Sequence, residues 1–226
     1  MAGSPTKRTW RCVIGAVLVF GLLLLSAPRA EARRYPPLFG SIDNFSVNWS
    51  DKRFEPVVNW LSMRRRWNDG AACANDRCTS AGWASMVAQV KAAGSPMAKI
   101  IKANDLVNDK VLHPYKQDMP NYGYEDYWAT AFEFLKKSGD CEDFAITKFM
   151  LLKAAGFSPD DMMVLQVSAR NYGGIGHAIL VVYFGDKPLI LDILTTKVME
   201  ARYVAEYTPI ISVTEKFWSW HQHPNM

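Results

Sequence analysis

The rhythm of the hydrophobic positions changes once along this 226-residue chain. Up to Phe157 apolar residues recur at helical intervals; beyond it they crowd into short runs divided by turn residues. "TSAGWASMVAQVKAAG" predicts a helix capped near Thr79 or Ser80 and ended at Gly94. Ser95-Pro96 restarts a helix, with proline at its first position, running towards Val111. His113 to Asp126 predicts a loop by its Pro, Asn and Gly content. Trp128 to Leu135 predicts a short helix and Gly139 a break. Asp140 then caps a helix that carries Phe144, Ala145, Phe149, Leu152 and Ala155 and stops at Gly156. "DMMVLQVS", "HAILVVYF" and "LILDIL" predict strands, and "YTPIISVTEKFWSW" one more. Helices followed by an antiparallel sheet make the class α+β. Residues 33–70, rich in aromatics, Pro and Arg, predict a segment that wraps the core.

The N-terminus belongs to a different category. Lys7, Arg8 and Arg11 precede the apolar run Val13 to Ala27, too short for an ordinary bilayer span, and Ala30-Glu31-Ala32 fits a small-residue cleavage site. Residues 1–32 therefore predict a secretory signal peptide, with an uncleaved anchor as the alternative, and residues 33–226 a single domain. Cleavage would remove four of the 26 basic residues and one of the 22 acidic ones, lowering the net charge from +4 to about +1. The basicity lies mostly in the signal, so nothing calls for nucleic acid or an anionic membrane as partner.

Export changes the meaning of the cysteines. Cys12 leaves with the signal, and Cys73 and Cys78 enclose a short polar loop. In an oxidising compartment these two predict a local disulfide; zinc is the rival, without a Cys/His pair at ligand spacing nearby. Cys141 is then an unpaired thiol in an exported chain, which flags reactivity. It sits in "GDCED", between Asp140 and the pair Glu142-Asp143. Carboxylates oppose a thiolate, whereas a helix N-terminus favours one. The acidic residues can also be read as plain helix capping.

A nucleophilic thiol needs a base. His113 falls in a loop, and His221 and His223 in a tail where solvated surface or packing is the default, since a His-x-His metal site has no evident third ligand. His177 opens an apolar strand after "GGIG", and Asp192 is a carboxylate inside the apolar "PLILDIL". If the turn is Gly185-Asp186, Phe184 pairs with Lys187 and Asp192 lies diagonally across from His177 on one face; a four-residue turn, Gly185 to Pro188, keeps both on that face but further apart. That is the base and orienter of a Cys–His–Asp triad made of Cys141, His177 and Asp192.

"WATAFEFLKKSGDCEDFAITKFMLL", "GHAILVV" and "LILDIL" together resemble the bacterial transglutaminase-like cysteine proteinases of the LapG type. Ala131 departs from the pattern, which has proline in the Trp-x-Thr-Pro-like stretch. The resemblance implies a papain/transglutaminase-like fold, with the nucleophile at a helix N-terminus packed on an antiparallel sheet. It also implies a periplasmic endopeptidase that requires calcium (Ca2+), with Asp140, Glu142 and Asp143 among its ligands. The implied substrate is the N-terminal region of a large surface adhesin, cut at a pair of alanines to release the adhesin and disperse biofilm. The implied regulator is a LapD-like inner-membrane receptor for cyclic di-GMP. Two other readings share these residues: acyl transfer to an amine, as in transglutaminases, and a catalytically silent calcium-dependent module that binds a peptide or receptor. The backbone N–H of Cys141 is the candidate for one oxyanion donor; the sequence names no second.

Overall fold

A computed structural model describes residues 38–39, 43–47 (backbone only), 55–68 and 81–222. Residues 1–32, Cys73, Cys78 and His223 lie outside them, and with them the signal peptide and the disulfide. The helices are α1 (Glu55–Asn68), α2 (Ala81–Ala92), α3 (Pro96–Val107), α4 (Asp118–Tyr122), α5 (Ala131–Lys137) and α6 (Cys141–Ala154). The strands are β1 (Asp43–Val47), β2 (Met162–Ala169), β3 (Ile175–Phe184), β4 (Lys187–Leu191), β5 (Met199–Glu200), β6 (Tyr207–Val213) and β7 (Trp218–Gln222). The strands form one sheet in the order β1-β7-β6-β2-β3-β4-β5, with every neighbouring pair antiparallel.

Both faces of the central strands are covered, which explains why they read as nearly continuous apolar runs. Val164, Leu180 and Val182 pack into the core shared with the helices, while Leu165, Ile179 and Val181 pack into a second cluster with Leu38 and Tyr207. Helix α6 is buried almost all round, from Glu142 to Leu152, because helices enclose it on one side and β3 on the other. Phe144, Phe149 and Leu152 supply much of that core. Lys148, on the same helix, is fully buried as well.

The α+β reading holds, with corrections at element ends. The helix from Pro96 stops at Val107, short of Val111, with Asn108 as its C-cap. The loop from His113 to Asp126 contains α4. The segment around residues 33–70 contributes β1, which pairs with β7, and α1, whose Val57, Trp60 and Met63 face the core. The final strand is two, β6 and β7: the Thr214 hydroxyl accepts from the amides of Lys216 and Phe217 and turns the chain between them. Ala131 is the first residue of α5, after a Thr130–Glu133 capping box. Proline is favoured at that position and alanine fits it equally well, so the departure leaves the turn intact.

Candidate active site

Cys141 begins α6, where unpaired amides and the helix dipole meet the side chains. The residues before it are tightly held. Ser138 has φ 63° and ψ −168°, a backbone region that favours glycine. Four hydrogen bonds fix it there. Its amide donates to Phe134 O at 2.6 Å, and its hydroxyl donates to Pro114 O. Its carbonyl accepts from Asn121 Nδ2 at 3.0 Å and from the Tyr122 hydroxyl at 2.9 Å. Gly139 follows because nothing larger fits: a Cβ there would stand 1.9 Å from Asp143 Oδ2.

The β3–β4 hairpin has the register expected from its turn, with Phe184 opposite Lys187 and Leu180 opposite Leu191. His177 Nε2 lies 2.8 Å from Asp192 Oδ1. Asp192 also accepts from the Leu194 amide at 3.0 Å and from the Tyr207 hydroxyl. Burial pushes the Asp192 carboxyl up, but the hydrogen bond and charge of His177, with Leu194 and Tyr207, outweigh it and hold the group below its ordinary value. Asn108 anchors the turn that carries Asp192: its Nδ2 donates to Asp192 O at 2.6 Å and to Thr195 O at 3.1 Å.

Cys141 and His177 line one cleft of about 470 Å³, with His113, Tyr115, Tyr172 and Leu194 among its other walls. The Ala178 backbone, next to His177, acts in the opposite sense to the surrounding carboxylates and favours the Cys141 thiolate. The thiol itself donates to Glu142 Oε2 at 3.2 Å and makes no hydrogen bond to His177. Burial, then the charges of Glu142 and Asp140, push the thiol well above its ordinary ionisation. Since Nε2 is committed to Asp192, Nδ1 is the imidazole nitrogen available to the thiol. His113, unremarkable in sequence, is buried beside this cleft against the Phe134 ring. His221 is buried in β7, with Nε2 3.1 Å from Ser212 Oγ.

The acidic residues do not act as a simple cap. Asp140 occupies the N-cap position, yet its side chain makes no capping hydrogen bond. Instead the fold adds two carboxylates from the preceding loop. Oxygens of Asp118, Asp140 and Asp143 lie within 4.8 Å of one another, as do those of Asp118, Asp126 and Glu142. Asp118 Oδ1, Asp140 Oδ1 and Asp143 Oδ2 are buried with no hydrogen-bond partner among the described residues. Their other contacts are well formed: Asp143 Oδ1 accepts from the Ala129 amide and Asp118 Oδ2 from the Tyr127 amide, both at 2.6 Å. Burial pushes Asp118 up to about 6, and burial with mutual repulsion pushes Glu142 and Asp143 well above the usual carboxylate range. Asp118 and Asp126 escaped the sequence reading, although their loop already carried a high density of polar residues. Tyr207, which completes the shell around Asp192, gave no local signal at all.

Comparison with proteins of curated function gives no match. Three solved structures of LapG from Legionella pneumophila share this fold, each at a TM-score of 0.54. The calcium-bound form is 25% identical over 73% of this chain and 91% of its own. A second form is 26% identical over 70% and 87%, and the EGTA-treated form 24% identical over 72% and 90%. The sequence pattern of the bacterial transglutaminase-like cysteine proteinases matches residues 69–221, which include Cys141, His177 and Asp192. The chain belongs to the bacterial transglutaminase-like cysteine proteinase family and is of the LapG type.

Proposed function

We propose that this cysteine protease is a calcium-dependent periplasmic endopeptidase that cuts the N-terminal region of a large surface adhesin at a dialanine site. Cleavage would release the adhesin and disperse biofilm, and a LapD-like receptor for cyclic di-GMP would sequester the enzyme. Residues 1–32 are the signal peptide and residues 33–226 the protease domain in this reading. Among the described residues no helix is long and apolar enough to cross a membrane.

One observation carries the catalytic part: Cys141 at the start of α6 shares a cleft with His177, whose Nε2 is tied to Asp192. In the reaction His177 Nδ1 takes the thiol proton as Sγ bonds to the scissile carbonyl carbon. The backbone N–H of Cys141 donates to the oxygen that becomes negative. Collapse of that intermediate breaks the C–N bond, and His177 gives its proton to the departing amine. Water then attacks the thioester with His177 again as base, and Cys141 regains its proton. Asp192 keeps the imidazole oriented and stabilises its charged form.

Calcium fits the acidic cluster. Its donors are hard carboxylate oxygens, and three of them are buried with no partner among the described residues. Asp118, Asp140, Glu142 and Asp143 would hold the ion, with Asp126 beside them. A bound dication would neutralise the carboxylates that now oppose the Cys141 thiolate. The similar Legionella protein has a calcium-bound form, which supports calcium as the ion.

The test is cleavage of a dialanine-containing adhesin fragment with and without a calcium-selective chelator. Chelation should stop cleavage and added calcium restore it, with magnesium a poor substitute. Cys141→Ala and His177→Ala should each abolish it. Equal rates with and without chelator would return the cluster to a structural role; full cleavage by Cys141→Ala would refute the mechanism.

A further inference from the structure

The cleft needs a second donor for the developing oxyanion, and a hydroxyl-bearing side chain lines it with Cys141 and His177. Tyr115 lines the cleft with Cys141 and His177, is 56% exposed, and its hydroxyl has no hydrogen-bond partner among the described residues. Its backbone is locked to the residues just before the nucleophile. Tyr115 forms a parallel bridge with Gly139, the Lys116 amide donates to Gly139 O at 2.8 Å, and the Ser138 hydroxyl donates to Pro114 O. Ser138, with its positive φ, lies within this paired stretch. Burial, then the charge of Cys141 ahead of Asp140, Glu142 and Asp118, pushes the phenol's ionisation up. Cys141 is thus foremost among the charges acting on this hydroxyl.

We infer that the Tyr115 hydroxyl is the second oxyanion donor, opposite the Cys141 amide. This rests on the proteolytic reading of the site. When Sγ bonds to the carbonyl carbon, the C=O π pair moves onto oxygen, and Tyr115 O–H and Cys141 N–H both donate to it. Tyrosine keeps its proton throughout, and the contacts weaken again when C=O re-forms. Ring and hydroxyl are separable here: phenylalanine preserves the packing and removes only the donor. Preorganisation matters more than strength for such a group, because a donor already aimed at the oxyanion costs no rearrangement during reaction. The lock on residues 114–116 supplies that preorganisation.

Two thiol reagents distinguish the role. p-Nitrophenyl acetate acylates Cys141 through a tetrahedral oxyanion, whereas iodoacetamide alkylates it by direct displacement without one. Tyr115→Phe should slow acetylation by about a hundredfold to a thousandfold, the range known for loss of one oxyanion donor, and leave alkylation unchanged. Unchanged acetylation would overturn the proposal. An equal fall in both rates would also overturn it, since that would mean Tyr115 tunes the thiol itself. Wild-type protein that is acetylated no faster than Cys141→Ala would instead sink the proteolytic reading, and this inference with it.

Discussion

Replacing Lys148 by methionine gives a quantitative test of how this core is built. Lys148 stands two turns after Cys141 on α6 and is fully buried. Burial pushes its pKa down from 10.5 to about 7, with the negative charge of Asp192 opposing the shift. The sign of the pH effect follows. Between about pH 7 and 10 the unfolded chain binds a proton that the folded chain lacks, so folded stability rises with pH in that window. The full slope is about 1.4 kcal/mol per pH unit. Half-titration near pH 7 reduces the gain between pH 7 and 9 to about 2 kcal/mol. Lys148→Met keeps the length of the side chain and removes its charge, so that gain should vanish. The variant should also be more stable at pH 7, by about 1–4 kcal/mol, as when buried charges elsewhere are replaced by well-packed apolar groups. Urea unfolding under reducing conditions at pH 7 and pH 9, for both proteins, measures the difference directly. If wild type and variant gained equally between the two pH values, Lys148 would not be a buried titrating group and the reasoning would fail.

Gly139→Ala should cost about 1–3 kcal/mol and most of the activity, because the new Cβ would collide with the buried Asp143 carboxylate; thermal unfolding and a cleavage assay read both. Asp192→Asn should reduce the cleavage rate strongly. It should also flatten the acid limb of the stability profile, since Asp192 titrates below its ordinary value when folded and its stabilisation is lost as pH falls through that folded value. Acid titrations of the two proteins that superimpose would count against this. Asp118→Asn should raise the calcium concentration needed for half-maximal cleavage, while activity at saturating calcium recovers. An unchanged calcium requirement would remove Asp118 from the ligand set.

Local interactions made part of this protein legible in its sequence. The helix that begins at Cys141 follows from its glycine stop and the periodicity of Phe144, Phe149 and Leu152, which act within a few turns. The His177–Asp192 pair was readable for a similar reason: a two-residue turn fixes the register of a hairpin, and register fixes which side chains share a face. The family motifs fall on α5, α6 and the β3–β4 hairpin with the turn after it. Other features depended on where separate segments meet. Asp118 and Asp126 join Asp140, Glu142 and Asp143 because α4 and its flanking loop are folded back on the nucleophile segment, and irregular backbone has no periodicity from which to predict that path. Tyr207 reaches Asp192 from a strand that arrives later in the chain, and Asn108 leaves its helix to hold the Asp192 turn. Lys148 reads as a surface residue of a helix until the sheet covers it. Sequence determined the candidate nucleophile, the His177–Asp192 pair and their elements because those rest on neighbours in the chain; tertiary structure decided the carboxylate cluster and the lining of the cleft, because burial and convergence arise only once distant segments pack.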